Sequence, residues 1–414
     1  MIQERTTCRA CGSKNFKLIL DLGKTALAND FLRPEEVPGY HTCLPLRVVL
    51  CPDCSLVQLA DTVDPKILYS HYAYVTSTSA TMDAHLNNQA RHLLATGHLG
   101  AGSKVLEIAS NTGVFLKKFK EQGCEVLGIE PAANIADIAI ATAIPTRKEF
   151  FNAENAGKLK AEWGAADLIL GRHVFAHIDD LRDLMAGLET VSHQETLIAF
   201  EVPYLVDFFE HTEYDTIYHE HLSYISVHSI EALVRDTPFT LARVDHYPIH
   251  GGSILFHLRH RSSKIAVHSS VPIALELERQ MKLAEPSTWE AFAGRVNHIR
   301  AELPALLGRL RAEGKRVIGY GASAKGNTLL NTCGLSTKEM DYIIDNTPFK
   351  QNKVAPGSWI PIRPPEMLLK DQPDFALLLA WNFAPEIIRR ETDFQKRGGR
   401  FIVPVPEPKI IPFG

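Results

Sequence analysis

Four of the seven cysteines form two Cys-x-x-Cys pairs near the start of the chain. Cys8 and Cys11 make the first pair, and Cys51 and Cys54 make the second. Because a Cys-x-x-Cys turn aims two thiolates at one tetrahedral ion, two such turns complete a structural Zn²⁺ site with no open position for water. Such an ion supplies folding free energy directly to a segment too small for a large core. The pattern therefore predicts a zinc-binding module over residues 1–66.

Two other interpretations of these cysteines are weaker. They could be unrelated pairs of buried thiols or a redox motif, but no βαβ pattern surrounds either pair. Disulfides are not expected, because the sequence carries no secretory signal and a reducing cytoplasm keeps thiols free. Cys124 and Cys333 are expected to pack in the core. Cys43 lies between the two pairs and could be a fifth thiol nearby, but we expect it only to pack.

A second candidate site is the turn that follows the first predicted strand of the central region. Residues 104–109 predict a buried strand, residues 113–122 a helix and residues 125–130 the next strand. The turn keeps only Gly113 of the three glycines that a dinucleotide pyrophosphate requires. It therefore favours a cofactor without phosphates, and S-adenosylmethionine (SAM) fits. The candidate SAM ligands are Glu107, Ala109, Ser110, Asn111, Gly113 and Glu130.

Within this set, Glu130 ends the second strand, where an acidic residue can accept hydrogen bonds from both ribose hydroxyls. The turn at residues 107–113 would lie near the amino-acid tail of the cofactor. The alternative is an ordinary βα turn with two surface glutamates.

The densest group of polar and aromatic side chains is the stretch 213–224. If it formed a helix, residues three or four apart would share one face, and Tyr218, His221 and Asp215 could converge. This set suits proton abstraction, with His221 as the general base, Glu220 as the carboxylate that orients it and Tyr218 as a hydrogen-bond donor to an enolate oxygen. A metal site at the His-x-His pair is the alternative, although no third ligand is evident.

Two further stretches could reach a substrate. Tyr72 lies in a tyrosine-rich segment of a kind that is more often the apolar entry to a helix than a site. His177 follows a predicted strand at its carboxyl end, where open α/β sheets bind ligands. His250, Gly252 and Ser253 precede a strand and could let the backbone approach a substrate. A tight turn explains the glycine equally well.

The strand-turn-helix pattern restarts at residues 315–327. Here Gly321, Ser323, Lys325 and Asn327 offer backbone N–H groups, a helix N-terminus and a cation to an anion. A sugar-nucleotide pyrophosphate would bind well, whereas the glycine spacing departs from the usual dinucleotide fingerprint. The residues that end later predicted strands would line the same crevice: Asp345, Asn346, Trp381 and Asn382. Packing and helix capping are the alternative.

These candidate sites require a large scaffold, and length and composition allow one. The chain has 414 residues, of which 45% are hydrophobic and 22% charged, so at about 150 residues per domain we expect two or three globular domains. Alternating strands and helices predict an α/β fold with two Rossmann-like domains, at residues 67–282 and 283–414.

Charge and hydropathy narrow the partners. A net charge of −4 without a basic block disfavours nucleic acid and anionic membranes and favours a small molecule. No apolar run approaches the roughly 20 residues that span a bilayer, so we predict a cytoplasmic protein without a membrane partner.

Taken in order, these motifs resemble the sugar C-methyltransferases that act on nucleotide-linked ketosugars in deoxysugar biosynthesis, the group that contains the 3-C-methyltransferase of the tetronitrose pathway. The resemblance covers the whole chain. It implies a zinc module, a SAM-binding methyltransferase domain and a C-terminal domain that binds the nucleotide sugar. The family's active-site positions fall on Tyr72, His177, Tyr218, Glu220 and His221, and Tyr224 falls in the substrate site. Thr112 departs from the family pattern, in which an acidic residue often follows the Asn.

The resemblance also implies a reaction. A C–H bond becomes nucleophilic only when an adjacent ketone delocalises the negative charge, so a 4-keto-deoxysugar is implied, with C3 expected as the methylated carbon and C5 left open. His221 would remove the α-proton with support from Glu220, and Tyr218 would stabilise the enolate, assisted by Tyr72 or His177. We expect dTDP as the nucleotide, with GDP as the alternative. A ketosugar epimerase, an NAD(P)-dependent reductase and a zinc-dependent scaffold protein are the competing functions.

Overall fold

The computed structural model describes residues 2–69, 80–249 and 251–412, and these form three packed units. Two candidate site residues, Tyr72 and His250, lie outside the described residues. The α/β class, with two mainly parallel sheets behind an N-terminal zinc module, is confirmed. The domain limits at residues 66 and 282 stay predictions.

The N-terminal unit is a small antiparallel sheet with short flanking elements. Its strands and helix are β1 Ile2–Glu4, β2 Lys17–Ala26, β3 Cys43–Cys51, β4 Leu56–Leu59, β5 Asp61–Val63 and α1 Pro65–Tyr69, with a 3-10 helix at Pro34–Gly39. β3 pairs with β2 and β4, and β1 pairs with β5. The second cysteine pair lies at the turn between β3 and β4, since Cys51 is the last residue of β3.

Alternation along β3 explains one wrong prediction. Its side chains point alternately to the two faces, so Leu44 and Leu46 are buried while Cys43 is exposed. The prediction that Cys43 packs was therefore wrong, whereas Cys124 and Cys333 are buried as expected.

The middle unit contains the larger sheet. Its strands are β6 Lys104–Ile108, β7 Glu125–Ile129, β8 Thr146–Arg147, β9 Leu168–Arg172, β10 Leu197–Pro203, β11 Ser223–Tyr224, β12 Phe239–Tyr247 and β13 Ser253–His260. Its helices are α2 Ala80–Gly97, α3 Val114–Lys120, α4 Ala133–Ala141, α5 Ala153–Trp163, α6 Leu181–Val191, α7 Leu205–Glu210, α8 Val227–Val234 and α9 Ser270–Gln280, with 3-10 turns at Phe175–His177 and Tyr214–Thr216.

The strand order of this sheet is β12-β13-β10-β9-β6-β7-β8. The strands from β10 to β8 are parallel, and β13 runs antiparallel to both of its neighbours. The chain order reverses between β6 and β9, and in open α/β sheets ligands bind in the crevice at the carboxyl ends of strands at such a switch point. The turn after Ile108 and the loop after Arg172 both leave the sheet there.

The C-terminal unit repeats the design on a six-stranded sheet. Its elements are α10 Pro286–Ala312, β14 Val317–Tyr320, α11 Ala324–Thr332, β15 Ile343–Ile344, β16 Ile362–Arg363, α12 Met367–Asp371, β17 Phe375–Leu378, α13 Ala384–Arg390, α14 Thr392–Lys396, β18 Arg400–Val403 and β19 Lys409–Ile410, with a 3-10 turn at Trp381–Phe383. The strand order is β16-β15-β14-β17-β18-β19, and only the pairing of β19 is antiparallel.

One continuous apolar core crosses all three units. It includes Leu50 of β3, Phe200 of β10 and Leu377 of β17. The long helix α10 contributes side chains spaced three or four residues apart, which is the spacing of one helix face: Trp289, Phe292, Val296, Ile299, Leu303 and Leu307. The units therefore share burial and are not independent bodies.

The sheet of the N-terminal unit extends into the stretch that contains the candidate base. The two-residue strand β11 leaves the middle unit and pairs antiparallel with β4, so the sheet of the N-terminal unit continues into residues 223–224.

No helix in the described ranges combines the length and the apolar character that a bilayer crossing requires.

Candidate active site

The four cysteines of the N-terminal unit converge. Their sulfurs lie within 4.8 Å of one another, and the Sγ atoms of the pairs Cys8–Cys54 and Cys11–Cys51 are each 3.6 Å apart. A tetrahedral zinc ion with Zn–S bonds of about 2.3 Å separates its sulfurs by about 3.8 Å. Gln58 Nε2 donates to Cys8 Sγ at 3.2 Å and helps to orient this thiolate. The donor set and spacing therefore fit one structural zinc ion.

His221 is fixed in one tautomer by its two contacts. Its Nδ1 lies 2.9 Å from the carbonyl oxygen of Thr216, and because a carbonyl only accepts, Nδ1 carries the proton. Nε2 then presents a lone pair, and the hydroxyl of Tyr218 donates to it at 2.7 Å. The ring of His177 meets the His221 ring edge-on, with centroids 4.9 Å apart.

Burial keeps both histidines neutral. It lowers the pKa of His221 well below its usual range, with the neighbouring His177 acting in the same direction. Burial also lowers the pKa of His177 to about 4. At neutral pH the site therefore holds two uncharged imidazoles, one of which presents a hydrogen-bonded lone pair.

The stretch 213–224 is not a helix, so the conditional helix prediction was wrong. It begins with the 3-10 turn Tyr214–Thr216 and ends in β11. Thr216 donates from both its N–H and its hydroxyl to the carbonyl of Glu213, and such local hydrogen bonds favour turns over helices. Tyr218 and His221 still converge, because His221 N–H donates to the Tyr218 carbonyl at 2.9 Å and closes a tight turn.

Glu220 does not orient His221, contrary to the sequence prediction. Its Oε1 accepts a hydrogen bond from Nδ2 of Asn29, in the N-terminal unit, at 2.8 Å. In the turn, Glu220 and His221 point to different neighbours, and the carbonyl of Thr216 holds Nδ1 instead. Burial raises the pKa of Glu220 to about 7, although the Asn29 hydrogen bond opposes this shift.

His219 is structural. Its Nε2 lies 3.3 Å from the Leu44 carbonyl and 3.2 Å from the Pro45 carbonyl, in the N-terminal unit. Because its donor nitrogen faces this unit while Nε2 of His221 faces Tyr218, the geometry disfavours the alternative of a His-x-His metal site.

The cofactor turn leaves buried polar atoms without a partner. Among the described residues, Oε2 of Glu107 and Oγ of Ser110 have no hydrogen-bond partner. Burial raises the pKa of Glu107 to about 8, an effect that the Arg172 charge opposes. Buried polar atoms are normally hydrogen-bonded, so these two fit a polar ligand such as the ammonium group of SAM.

The backbone of this turn is shaped for close approach. Ala109 and Asn111 have φ values of 54° and 51°, a left-handed conformation that is uncommon outside glycine and recurs at functional sites. Gly113 precedes α3 with φ 74° and gives the helix no side-chain cap. The turn therefore keeps its polar groups available.

Glu130 braces this turn from the next strand. Its Oε2 accepts from the backbone N–H of Asn111 at 3.0 Å, and its Oε1 accepts from that of Ala132 at 2.9 Å. Each carboxylate oxygen can accept a second hydrogen bond. The predicted contact of Glu130 with the ribose hydroxyls is therefore compatible with these two backbone hydrogen bonds.

A buried charged cluster at the ends of β9 and β10 was not anticipated from the sequence. Glu201 is 0% exposed, and its carboxylate binds His85 Nε2 at 2.7 Å and Arg172 Nε at 3.2 Å. His173 donates its backbone N–H to the Glu201 carbonyl at 2.7 Å and has φ 54°. A carboxylate within the otherwise apolar strand Leu197–Pro203 is the signal that could have found Glu201.

Two predicted substrate residues lie near His221, and a third, Ser253, follows one of them in the chain. Tyr224 and Gly252 line, with His221, a narrow cavity that has room for about one water molecule. Gly252 has φ 137°, and a Cβ there would meet the Asp207 side chain at 2.1 Å, so only glycine fits. Ser253 is buried, and its hydroxyl donates to the Ile249 carbonyl at 3.2 Å.

The predicted anion site of the C-terminal unit is occupied by internal contacts. Lys325 pairs with Glu213 at 3.2 Å, and Asn327 Nδ2 donates to the Ala28 carbonyl at 2.7 Å. The Ser323 hydroxyl accepts from Gly326 N–H at 3.0 Å and caps α11. These contacts match the packing and capping alternative.

The remaining predicted residues of this crevice differ in role. Asp345 accepts backbone hydrogen bonds at 2.7 Å from both Ala322 and Thr347. Trp381 donates its Nε1–H to Asp215 at 2.6 Å. Of the other three predicted residues, Gly321 has a left-handed backbone with φ 87°, Asn346 is exposed and Asn382 is half-buried.

A second group with metal-binding side chains consists of His92, Asp245 and His257. Both histidines lie 2.9 Å from Oδ2 of Asp245. Arg243 Nε lies 2.8 and 2.9 Å from the two carboxylate oxygens, so the negative charge is already compensated. This group is a hydrogen-bond network that ties α2 to β12 and β13.

Family models match along most of the chain. A zinc binding domain matches residues 8–69, a methyltransferase domain residues 82–244 and a C-methyltransferase C-terminal domain residues 248–406. Two solved structures are similar to part of the chain. The cyclopropane synthase MmaA2 from Mycobacterium tuberculosis is 13% identical, and the match covers 48% of this chain and 92% of that chain with a TM-score of 0.36. Magnesium protoporphyrin IX methyltransferase from Synechocystis PCC 6803 is 13% identical, and the match covers 45% of this chain and 87% of that chain with a TM-score of 0.33.

A full-length relative accompanies these matches. The chain is 38% identical to the C-methyltransferase NovU of Streptomyces niveus over 404 residues, which cover 98% of this chain and 96% of the relative. This match confirms the family resemblance drawn from the motifs, together with the SAM and zinc predictions that accompanied it. The chain therefore belongs to the C-methyltransferase family and is a SAM-dependent C-methyltransferase with a zinc-binding module.

Proposed function

We propose that this C-methyltransferase acts on a nucleotide-diphosphate-linked 4-keto-deoxysugar, at the carbon next to the ketone, with C3 as the position. The observation that carries the proposal is the state of His221. Its Nδ1 is held by the Thr216 carbonyl, its Nε2 faces the Tyr218 hydroxyl, and burial keeps the ring neutral. A neutral imidazole beside a hydroxyl donor is suited to enolising a ketone.

The Tyr218–His221 pair acts as one unit in this proposal. In the structure the Tyr218 hydroxyl donates to Nε2. When a ketone oxygen is present, rotation of the hydroxyl hydrogen toward that oxygen frees the lone pair of Nε2 to take the α-proton, and the same hydrogen bond stabilises the enolate. General-base catalysis by a positioned side chain contributes about 10² to 10⁴ in rate.

In this proposal His177 assists the step directly, whereas Glu220 acts only through its charge. The edge-on ring of His177 presents a second neutral imidazole to the substrate oxygen. Glu220 is held by Asn29, and its raised pKa, about 7, makes the protonation of its carboxyl sensitive to substrate charge. Tyr72 keeps its predicted assisting role.

The cofactor would be held by the turn after β6. Oε2 of Glu107 and Oγ of Ser110 would accept the ammonium group of SAM, and Glu130 would accept from the ribose hydroxyls with its remaining lone pairs. SAM supplies an electrophilic methyl group when bound.

The nucleotide diphosphate is assigned to the C-terminal unit, with dTDP preferred over GDP. This part rests on the family resemblance rather than on open polar groups, because Lys325, Ser323 and Asp345 already have internal partners. The missing glycine fingerprint disfavours a nicotinamide cofactor and, with it, a reductase function. A cytoplasmic location stays a prediction.

The test combines a substrate panel with a base variant. The protein is incubated with isotopically labelled SAM and with dTDP- and GDP-linked 4-keto-deoxysugars, and mass spectrometry should find a gain of one CH₂ on the sugar. His221→Asn should abolish both methyl transfer and deuterium exchange of the α-proton in D₂O. His193→Asn, at a partly exposed histidine that pairs with Asp167, is the matched control.

Two outcomes would contradict the proposal. A methyl gain on some other acceptor, with none on any ketosugar, would remove the substrate class. Near-normal turnover and exchange by His221→Asn would remove the base assignment.

A further inference from the structure

Trp381 crosses from the C-terminal unit to the stretch that carries the base. It lies in the 3-10 turn after β17, and its Nε1–H donates to Oδ2 of Asp215 at 2.6 Å. Asp215 is 0% exposed and sits in the middle of the 3-10 turn Tyr214–Thr216. An indole N–H can only donate, so this contact needs the Asp215 carboxyl as an acceptor.

The residue after Asp215 sets the state of the base. The carbonyl of Thr216 accepts the Nδ1–H of His221 at 2.9 Å. The direction of this carbonyl is defined by the 3-10 turn, in which Thr216 N–H donates to the Glu213 carbonyl at 3.0 Å. Asp215 thus anchors the turn that aims the carbonyl at His221.

Further contacts from the same unit hold this turn. Lys325 pairs with Glu213 at 3.2 Å, and its ammonium lies 5.2 Å from the ring centre of Trp381. The Thr328 hydroxyl donates to the Ile217 carbonyl at 3.1 Å. The C-terminal unit therefore contacts both ends of the turn, and Trp381 contacts its centre.

We infer that Trp381 is a positioning residue for His221, because its hydrogen bond to Asp215 fixes the carbonyl that sets the tautomer and direction of the base. The inference rests on the proposed role of His221 as general base. It replaces the prediction that Trp381 lines the substrate crevice, and it gives the C-terminal unit a part in the chemical step.

The test removes the N–H and keeps the ring. Trp381→Phe should lower kcat at least about tenfold, while KM for the ketosugar changes less than about threefold, since the lost contact acts on the base and not on the substrate. The acidic limb of the kcat–pH profile should move, because it reports the base in the complex. ¹⁵N NMR of the histidine side chains should find a mixture of His221 tautomers.

Variants at the acceptor make the test specific. Asp215→Asn keeps an oxygen for the indole N–H and should retain most of the activity, whereas Asp215→Ala should resemble Trp381→Phe. The double variant Trp381→Phe with Asp215→Ala should be no worse than either alone, since both remove the same contact. Trp359→Phe, in the same unit, changes an indole that packs edge-on against Tyr40 and is the matched control.

The possible failures are distinguishable. A raised KM with unchanged kcat in Trp381→Phe would return this residue to the substrate crevice and overturn the inference, as would wild-type kcat and a single His221 tautomer. Full turnover by His221→Asn would defeat the base assignment, and the tautomer measurement still tests the contact by itself. Thermal unfolding of each variant excludes a loss of activity by misfolding.

Discussion

The two α/β units begin with the same local design and treat their polar groups differently. In the middle unit, the turn between β6 and α3 leaves Glu107 Oε2 and Ser110 Oγ buried without a partner among the described residues. In the C-terminal unit, the turn between β14 and α11 is closed, since Ser323 caps the helix and Asp345 accepts two backbone hydrogen bonds.

This difference supports the proposed SAM site at the first turn, whereas the polar groups named at the second turn already have internal partners. A buried polar atom without a partner costs about 1 to 3 kcal/mol, so a fold keeps such atoms where a bound molecule completes them. Ser323 and Asp345 carry no such cost, although Oδ1 of Asn327 in the following helix is also buried without a partner among the described residues. Two turns that look equally promising in sequence thus differ in the one property that binding needs, which is unused hydrogen-bonding capacity.

The largest expected loss of activity comes from the N-terminal unit, which lies outside the two α/β units compared above. Removing zinc with a chelator should lower methyl transfer by at least about 100-fold, because metal binding supplies the folding free energy of the N-terminal unit, and this unit holds Glu220 through Asn29 and pairs with β11. SAM binding, which is assigned to the turn after β6, should fall much less than methyl transfer, even though the shared core couples the units. Metal analysis, activity and calorimetric SAM titration measure this, and added zinc should restore activity. Full activity of metal-free protein would contradict the expectation.

The next effect compares one carboxylate from each unit. Glu107→Gln should weaken SAM binding about 10- to 100-fold, since a hydrogen bond to a charged group contributes about 1.5 to 3 kcal/mol. Asp345→Asn should leave SAM affinity unchanged and lower the free energy of unfolding by about 1 to 3 kcal/mol, because it disturbs two partly buried hydrogen bonds to the backbone. Calorimetry and urea unfolding measure both variants. Equal losses of SAM affinity would erase the distinction between the turns.

A proton should accompany SAM binding. The folded-state pKa of Glu107, about 8, lies above its ordinary value of 4.5, so its contribution to stability is present below pH 4.5 and is lost as the pH rises toward 8. An ammonium ligand favours the ionised form, and binding near pH 7 should release up to one proton. Calorimetry in buffers of different ionisation enthalpy measures this release, which Glu107→Gln should abolish. Proton uptake would refute the assigned contact.

The smallest effect compares two serines. Ser323→Ala removes a helix cap and should lower the free energy of unfolding by about 1 kcal/mol. Ser110→Ala should not lower the free energy of unfolding of the SAM-free protein, because its buried hydroxyl has no partner among the described residues to lose and its removal relieves a desolvation cost. Urea unfolding of both variants decides. A larger loss for Ser110→Ala would show that its hydroxyl is structural.

What the sequence could predict was local. The cysteine spacing predicted a four-sulfur cluster, and Tyr218 and His221 were paired correctly although the assumed helix is absent. What it could not predict were contacts between distant segments. Asn29 and Glu220 are 191 residues apart, and Trp381 and Asp215 are 166 apart.

The errors follow from that limit. A carboxylate next to a histidine in the sequence suggests that the two side chains form a pair. In the folded chain, however, Glu220 accepts a hydrogen bond from Asn29 instead. In the same way Lys325 suggested a free cation, whereas folding brings it to Glu213. The type of a side chain indicates which interactions it can make, whereas the packing of the folded chain determines its interaction partner.

The pairing of β11 with β4 has a practical consequence for truncated forms of the chain. A protein cut back to residue 80 would leave Ser223 and Tyr224 as an unpaired strand edge beside newly bared apolar side chains, and such edges promote aggregation. The N-terminal unit is therefore not expected to behave as a detachable tag.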